Sequence, residues 1–176
     1  MSDDSLVRAL GYAHSPGNAV QRGLRRVAGT RFGAAALSRT LRHADGIVGR
    51  RTQGRHSAAS LATGLSVLTL TTTGRRSGVA RTSPLIATPL GDDLALLGTN
   101  FGQSSTPAWA LNLEANPECV VGYRGLEVPA LARHATPEEA DVVFDLASRS
   151  YVGYAHYRER IGDSRRIRVF VLALAR

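Results

Sequence analysis

The 176-residue sequence has one cysteine, one tryptophan and one methionine, and all 22 of its basic residues are arginine. With Cys119 alone, neither an internal disulfide nor a cysteine-based metal cluster can form. No apolar run approaches the roughly 20 residues that a membrane-spanning helix needs. The opening stretch, MSDDSLVRAL, is acidic and lacks the apolar segment of a secretory signal. We therefore expect a cytoplasmic protein.

Most of the short motifs that mark catalytic sites are also missing. The sequence contains no G-x-G-x-x-G, P-loop, H-E-x-x-H or C-x-x-C pattern, and no G-x-S-x-G elbow for a nucleophilic serine. The five histidines are scattered, without the spacing of metal ligands. The sequence therefore gives no support to hydrolytic or metal-dependent catalysis, and no metal site is predicted.

Positive charge is concentrated in the N-terminal third. Residues 1–60 contain ten arginines and three aspartates, whereas residues 61–176 contain twelve arginines and eleven acidic residues. Such a basic segment is either a solvated arm or a surface that binds anionic phospholipid headgroups, here on the inner membrane face. Charge alone also permits nucleic-acid binding, which we rank third, so no nucleic-acid partner is expected.

The N-terminal third also differs from the rest in its hydrophobic pattern. Residues 1–17 are polar and predict a loose tail. From Asn18, apolar residues recur at roughly helical spacing between the arginines, which predicts two short helices and then a linker over residues 50–60. We therefore expect a basic helical extension over residues 1–60 and a second domain over residues 61–176.

From Leu65 onward the pattern is typical of β-strands separated by turns. Six segments rich in β-branched and apolar residues predict strands, at 65–73, 82–89, 94–100, 118–124, 126–134 and 166–174. Helices are predicted at Pro107–Asn116 and, from a capping box at Thr136–Glu139, up to about Arg149. The hairpins indicate an α+β fold that is mainly antiparallel β, curled into a small barrel with flanking helices.

Three arginines surround the first predicted hairpin turn. Arg75 and Arg76 lie in the turn and Arg81 follows on the returning strand. Guanidinium groups on a rigid hairpin suit a phosphate or carboxylate, because each offers parallel N–H bonds. The alternative is a charged hairpin tip that only discourages aggregation. The spacing alone does not decide between the two.

Two further segments combine aromatic and polar residues. Thr99-Asn100-Phe101-Gly102-Gln103 leads from a strand to a helix N-terminus, where free N–H groups favour an anion or a polarised carbonyl, and Trp109 follows. Taken alone, Trp109 is better explained as a core residue. Tyr151, Tyr154 and Tyr157 recur at a spacing of three, which places their rings on one helical face, either as a packed core or with hydroxyls toward a polar ligand.

Four separated motifs together resemble one known family. TTTGRRSGVARTSPL, GTNFGQSSTPAWALNLEANP, YVGYAHYRERI and RIRVFVLAL occur in the order and with the gaps of the deazaflavin-dependent nitroreductases and quinone reductases. The resemblance covers about residues 61–176 and implies a split β-barrel, similar to the FMN-binding split barrels. It also implies the cofactor coenzyme F-420, a deazaflavin with a ribitol phosphate and an oligoglutamate tail.

The resemblance also assigns roles to residues of this chain. Arg75, Arg76 and Arg81 match positions that bind the phosphate and tail, and Pro84 and Leu85 match positions that line the deazaflavin ring. Two further groups match cofactor contacts: the loop residues Thr99, Asn100 and Gly102, and, on the helix that follows, Pro107, Trp109 and Asn112.

For the tyrosines, the resemblance implies the aromatic wall of the acceptor pocket. Tyr151, Tyr154 and Tyr157 match that wall, and Tyr154 is our candidate to donate a hydrogen bond or a proton to the acceptor. Expected acceptors are quinones, nitro compounds or enones, and pairing into a homodimer is expected of such barrels. Two alternatives stay open: an FMN-dependent oxidoreductase of the same architecture, and a carrier that binds deazaflavin or flavin without turnover.

Overall fold

A computed structural model describes residues 5–13, 66–150, 154, 156, 157 and 166–175 of the chain. The predicted basic helices, the linker over residues 50–60 and Tyr151 lie outside the described residues. None of the helices in these ranges is long and apolar enough to cross a membrane.

The described part of the chain forms one antiparallel sheet in the strand order β2-β1-β5-β6-β7-β4-β3. The strands are β1 Val67–Thr73, β2 Ala80–Ile86, β3 Thr88–Leu90, β4 Asp93–Leu97, β5 Glu118–Tyr123, β6 Leu126–His134 and β7 Val169–Leu174. The expectation of a mainly antiparallel β fold is therefore confirmed. The prediction of six strands was wrong, because the segment predicted as one strand over residues 82–89 forms parts of two.

Strands β2 and β3 follow each other along the chain but lie at opposite edges of the sheet. Strand β2 pairs with β1, with Pro84 opposite Thr69, and β3 pairs with β4, with Thr88 opposite Ala95. The chain therefore passes from one edge to the other at Ala87, which curls the sheet into a barrel. Because β2 is an edge strand, the missing N–H of Pro84 is tolerated there.

A short helix near the N-terminus packs inside this barrel. Helix α1, Leu6–Leu10, is capped by the Ser5 hydroxyl, which accepts from the backbone N–H of Arg8, and ends at Gly11, whose φ is 58°. Leu6 and Leu10 are buried in the barrel core. The prediction of a loose tail was therefore wrong over these residues: the two leucines share one helix face, which the polar flanking sequence concealed.

Two longer helices are close to their predicted positions. Helix α2 is Ala108–Ala115 and helix α3 is Pro137–Ser150. At the start of α3, the Thr136 N–H donates to Glu139 Oε2 over 2.9 Å, and the Glu139 N–H donates to Thr136 Oγ1 over 3.2 Å. These reciprocal hydrogen bonds confirm the predicted capping box.

The two faces of the sheet carry separate hydrophobic clusters. The first fills the barrel between the strands, α1 and α2, and includes Leu68, Leu70, Trp109 and Phe170. The second lies outside the barrel, between the β4–β7 region and α3. It contains Ala95, Leu97, Val143, Phe144, Ala147, Tyr154, Tyr157 and Val169.

The Tyr12 side chain forms hydrogen bonds at the point where the barrel closes. Its buried hydroxyl accepts from the Ala87 N–H over 3.1 Å and donates to the Ser66 carbonyl over 2.7 Å. Desolvation by burial raises the pKa of this hydroxyl above its ordinary value of 10.0, and the same cause raises the pKa of Tyr154. Because Ala87 separates β2 from β3, the Tyr12 hydroxyl stabilises the step between the two edges of the sheet.

We expect Tyr12→Phe to lower the free energy of unfolding by about 2 kcal/mol, because it leaves buried backbone groups at Ser66 and Ala87 without a partner.

Alkaline pH should lower the stability through the same hydroxyl. Above pH 10 an unfolded tyrosine loses its proton while the folded one keeps it, so stability falls by about 1.4 kcal/mol per pH unit for each such tyrosine. Urea titrations between pH 8 and 11 measure both effects. An alkaline slope in Tyr12→Phe as steep as that of the wild type would contradict this account.

Candidate functional site

The three arginines predicted as an anion site lie on or beside a rigid turn between β1 and β2. The Gly74 N–H donates to the Val79 carbonyl over 2.9 Å, and the Gly78 N–H donates to the Gly74 carbonyl over 2.8 Å. Gly78 has a φ of 67°, a conformation that favours glycine. The turn therefore holds Arg75 and Arg76 at one end of the sheet, and Arg81 lies on the adjoining strand, opposite Thr72.

These three guanidinium groups lack a counter-charge within the described part of the protein. Arg75, Arg76 and Arg81 are all exposed, and no described carboxylate pairs with them. In contrast, Arg133 pairs with Glu139 over 2.6 Å. A cluster of cations on an ordered hairpin, with no counter-charge among the described residues, is suited to a ligand that supplies the negative charge.

Asn112 on helix α2 fixes this hairpin from the inside. Its side-chain amide donates to Thr72 Oγ1 over 3.0 Å, and its carbonyl oxygen accepts from the Arg75 N–H over 3.1 Å. Asn112 is buried, and its amide is used within the protein. The structure therefore gives Asn112 a supporting role at the arginine hairpin, while its predicted contact with cofactor stays a prediction.

The segment from Thr99 to Pro107 forms a compact loop between β4 and α2. Residues Asn100–Gly102 make one 3-10 turn, with φ values of 48° at Asn100 and 76° at Gly102. The Asn100 side chain donates to both the carbonyl and the hydroxyl of Ser105, each over 3.1 Å. Thr99 is buried beneath the loop and Pro107 at its end. The sequence-predicted loop residues are thus held in one ordered segment.

Trp109 lies in the barrel core. It is 6% exposed and packs edge-to-face against Phe170, with 5.9 Å between ring centroids. This placement agrees with the interpretation of Trp109 as a core residue, and a cofactor contact there stays a prediction.

Tyr154 and Tyr157 lie together against the other end of strand β2. Their rings are 6.2 Å apart and both are buried in the second hydrophobic cluster. The Tyr154 hydroxyl donates to the Ile86 carbonyl over 3.4 Å, a long hydrogen bond. The structure therefore brings Tyr154 to the strand that carries Pro84 and Leu85, with Tyr157 beside it.

Pro84 and Leu85 differ in their surroundings. Leu85 packs against the barrel core, and Ile86 packs against the outer cluster that contains Tyr154. Because side chains alternate along a strand, Pro84 shares the outer face with Ile86, and it is exposed. The face of β2 beside Tyr154 is thus formed by Pro84 rather than by Leu85.

Strand β2 separates a cationic end from an aromatic end. Arg81 and Ile86 are five residues apart, which corresponds to roughly 16 Å along an extended strand. Arg75 and Arg76 extend the cationic end, and Tyr154 marks the aromatic end. By the same alternation Arg81 lies on the face of β2 that carries Leu85, whereas Tyr154 lies on the face of Pro84 and Ile86. An elongated ligand with a flat head and an anionic tail would therefore have to pass along the edge of β2 to reach both ends.

A groove of about 880 Å³ opens beside the arginine hairpin, a size in the ordinary range of ligand sites. Thr73 and Ala80, which flank the hairpin, contribute to its wall. Its other walls come from β5, β6 and the end of β7, among them Val120, Pro129, Leu131, Arg133 and Ala173. The groove reaches the base of the hairpin, but Arg75, Arg76 and Arg81 are not among its lining residues, and its wall includes Glu118.

Comparison with known proteins gives consistent results. The profile of the F420H(2)-dependent quinone reductase family matches residues 39–173. A solved F420-H2 dependent reductase is 30% identical, with a TM-score of 0.55 over 61% of this chain and 93% of that chain. A second structure, described as a domain-swapped dimer, is 27% identical, with a TM-score of 0.58 over 78% of this chain and 98% of that one. The predicted split β-barrel fold is thereby confirmed.

Proposed function

Because the chain belongs to the F420H(2)-dependent quinone reductase family, we propose that it transfers a hydride from reduced coenzyme F-420 to a small planar acceptor. The acceptor class is a quinone, a nitro compound or an enone. The observation that carries this proposal is the placement of three arginines without a described counter-charge at the hairpin end of β2 and of a buried tyrosine at its other end, within the region that the family profile matches.

The arginine hairpin fits the charged part of this cofactor. Arg75, Arg76 and Arg81 would bind the phosphate and the oligoglutamate carboxylates, since each guanidinium can donate two parallel hydrogen bonds. When bound, coenzyme F-420 supplies the hydride from C5 of its reduced ring. The exposed face of Pro84 and the Thr99–Gly102 loop would position that ring and keep water from it.

Tyr154 would act on the acceptor. Burial raises the pKa of its hydroxyl, so the group stays protonated throughout the neutral range. A hydroxyl in that state donates a hydrogen bond to an acceptor oxygen that gains negative charge during hydride transfer. Because the raised pKa also makes it a weaker acid, stabilising the oxygen fits Tyr154 better than supplying the proton. Donation to the acceptor would replace its long bond to the Ile86 carbonyl.

We expect Tyr154→Phe to lower kcat by about 10- to 100-fold, because it removes one hydrogen-bond donor from the developing oxyanion and keeps the ring. Binding of coenzyme F-420 should change little. Tyr123→Phe is the matched control, since it removes the hydroxyl of a buried tyrosine in the barrel core that has no proposed role in the site. Menadione reduction by the two variants measures the difference. Unchanged turnover in Tyr154→Phe would show that Tyr154 does not have this role.

The cofactor assignment is tested by titrating the purified protein with coenzyme F-420 and, in parallel, with FMN. Selective binding of coenzyme F-420 is expected, because three separate cations match its phosphate and several carboxylates. FMN has only its phosphate to offer the same cluster. Preference for FMN would indicate a flavin enzyme of the same architecture.

Two further proposals concern assembly. The solved relative that is a domain-swapped dimer supports a homodimer, which light scattering measures.

Peripheral contact with anionic membrane rests on the arginines of residues 18–55, which lie outside the described residues. Since α1 belongs to the barrel core, the membrane proposal is tested by replacing Arg22, Arg25 and Arg26 with glutamate rather than by deleting the N-terminus. Unchanged sedimentation with anionic vesicles would contradict it.

A further inference from the structure

Arg168 contacts two elements beside the candidate site, and it belongs to none of the predicted site groups. It directly precedes β7, and its side chain is one-third exposed. The guanidinium Nε pairs with the Glu114 carboxylate on α2. A second guanidinium nitrogen, Nη1, donates to Thr106 Oγ1 over 2.6 Å. Arg168 therefore connects helix α2 to the end of the Thr99–Pro107 loop.

The backbone of Arg168 holds the start of the same loop. The Gly98 N–H donates to the Arg168 carbonyl oxygen over 2.8 Å. A Cβ atom on Gly98 would lie only 3.0 Å from that oxygen, so glycine permits this close approach. Both ends of the loop, Gly98 and Thr106, are thus held by one residue, while the Asn100–Ser105 hydrogen bonds close its interior.

Glu114 fixes the direction in which the Arg168 side chain points. Its carboxylate pairs with Arg168, and the same oxygen lies 3.6 Å from Nε2 of His134. The His134 ring in turn packs against Phe170, with 4.5 Å between centroids. Because Glu114 stands on α2 and His134 at the end of β6, the guanidinium is oriented by two ordered elements rather than by solvent.

We propose that Arg168 is a positioning residue that holds the Thr99–Pro107 loop against the bound deazaflavin ring. This inference rests on the proposed function, since the resemblance places that loop beside the ring. The role favours arginine over lysine, because the planar guanidinium holds Glu114 and Thr106 with two nitrogens at a fixed separation, whereas lysine would have to reach both from one nitrogen. A loosened loop would misplace the ring relative to the acceptor, and small misplacements are costly in hydride transfer.

The test combines three variants with one matched control. Arg168→Lys keeps the charge beside Glu114 but loses the fork, and Thr106→Val removes only the accepting hydroxyl. The double variant completes a mutant cycle. Arg149→Lys is the control, because Arg149 makes an exposed carboxylate pair within α3, with Asp145. For each protein we would measure hydrogen exchange of residues 98–107 without cofactor, the Kd of coenzyme F-420, and kcat and KM for menadione.

Each single variant should raise the rate of amide hydrogen exchange within residues 98–107, while the amides of strands β5 and β6 stay protected. Each should also lower kcat/KM by about 10-fold. The double variant should also lose about 10-fold rather than 100-fold, since both changes break one contact. Additive losses, or losses that follow thermal stability alone, would overturn the positioning role. If the wild type is active and the variants show the same hydrogen exchange and kcat/KM, the positioning role is overturned as well. If the wild type itself shows no F-420-dependent turnover, the proposed function and this role are overturned together.

Discussion

Replacing Arg75, Arg76 and Arg81 together with alanine is expected to weaken the binding of coenzyme F-420 by about 10²- to 10³-fold. All three guanidinium groups are exposed, so solvent screening reduces each charge-assisted hydrogen bond to about 1–1.5 kcal/mol. Three such contacts sum to roughly 3–4.5 kcal/mol, and every 1.4 kcal/mol is about tenfold in Kd. Fluorescence titration at fixed ionic strength measures the change.

The matched control for this variant removes the same charge elsewhere. Arg8, Arg124 and Arg149 are exposed and lie outside the arginine hairpin. Their joint replacement with alanine should change Kd by less than about threefold, because exposed charges that do not contact the ligand are screened by salt. The wild-type Kd should also rise with salt, and the hairpin variant should lose most of that dependence. Equal losses in the two triple variants would mean that only net charge matters and that the hairpin is not the anion site.

Leu6→Ala is expected to lower the free energy of unfolding by about 3 kcal/mol. Leu6 is fully buried in the barrel core, and leucine-to-alanine changes at such sites cost roughly 2–5 kcal/mol through lost burial and the cavity left behind. For a chain of this size, the midpoint of thermal unfolding should fall by roughly 6–12 °C. Urea denaturation followed by circular dichroism gives the free energy directly.

The comparison for Leu6→Ala is Val142→Ala on helix α3. Val142 is 50% exposed, so its truncation should cost less than about 0.5 kcal/mol. If Leu6→Ala were as mild as Val142→Ala, residues 5–13 would be the loose tail that their polar composition suggests. A large difference would establish α1 as part of the barrel core.

The strands that could be predicted from the sequence are those whose pattern is local. Val67–Thr73 and Val169–Leu174 are continuous runs of β-branched and apolar residues. The capping box that begins at Thr136 can likewise be recognised from four consecutive residues. Helix α1 was missed because five residues are too short for a periodic signal. The change of strand at Ala87 was missed because it follows from barrel closure, for which the residues 82–89 carry no local mark.

The candidate site likewise contains some features that could be predicted from the sequence and others that could not. The arginine hairpin could be predicted, because its turn chemistry and charges are adjacent in sequence. Its support by Asn112, 37 residues from Arg75, could not, and neither could the contact between Arg168 and Thr106, 62 residues apart. Such contacts depend on which strands become neighbours. Trp109 is the opposite case: it belongs to a motif that could be recognised in the sequence, but its side chain is buried in the barrel core.

The most direct test of the account is anaerobic, single-turnover oxidation of reduced coenzyme F-420 bound to the protein, started by adding menadione. We predict oxidation that depends on both protein and menadione, that saturates with menadione, and that slows in Tyr154→Phe and in the triple arginine variant. Tight binding of coenzyme F-420 without oxidation by menadione, by a nitro compound or by an enone would contradict the account and indicate a carrier.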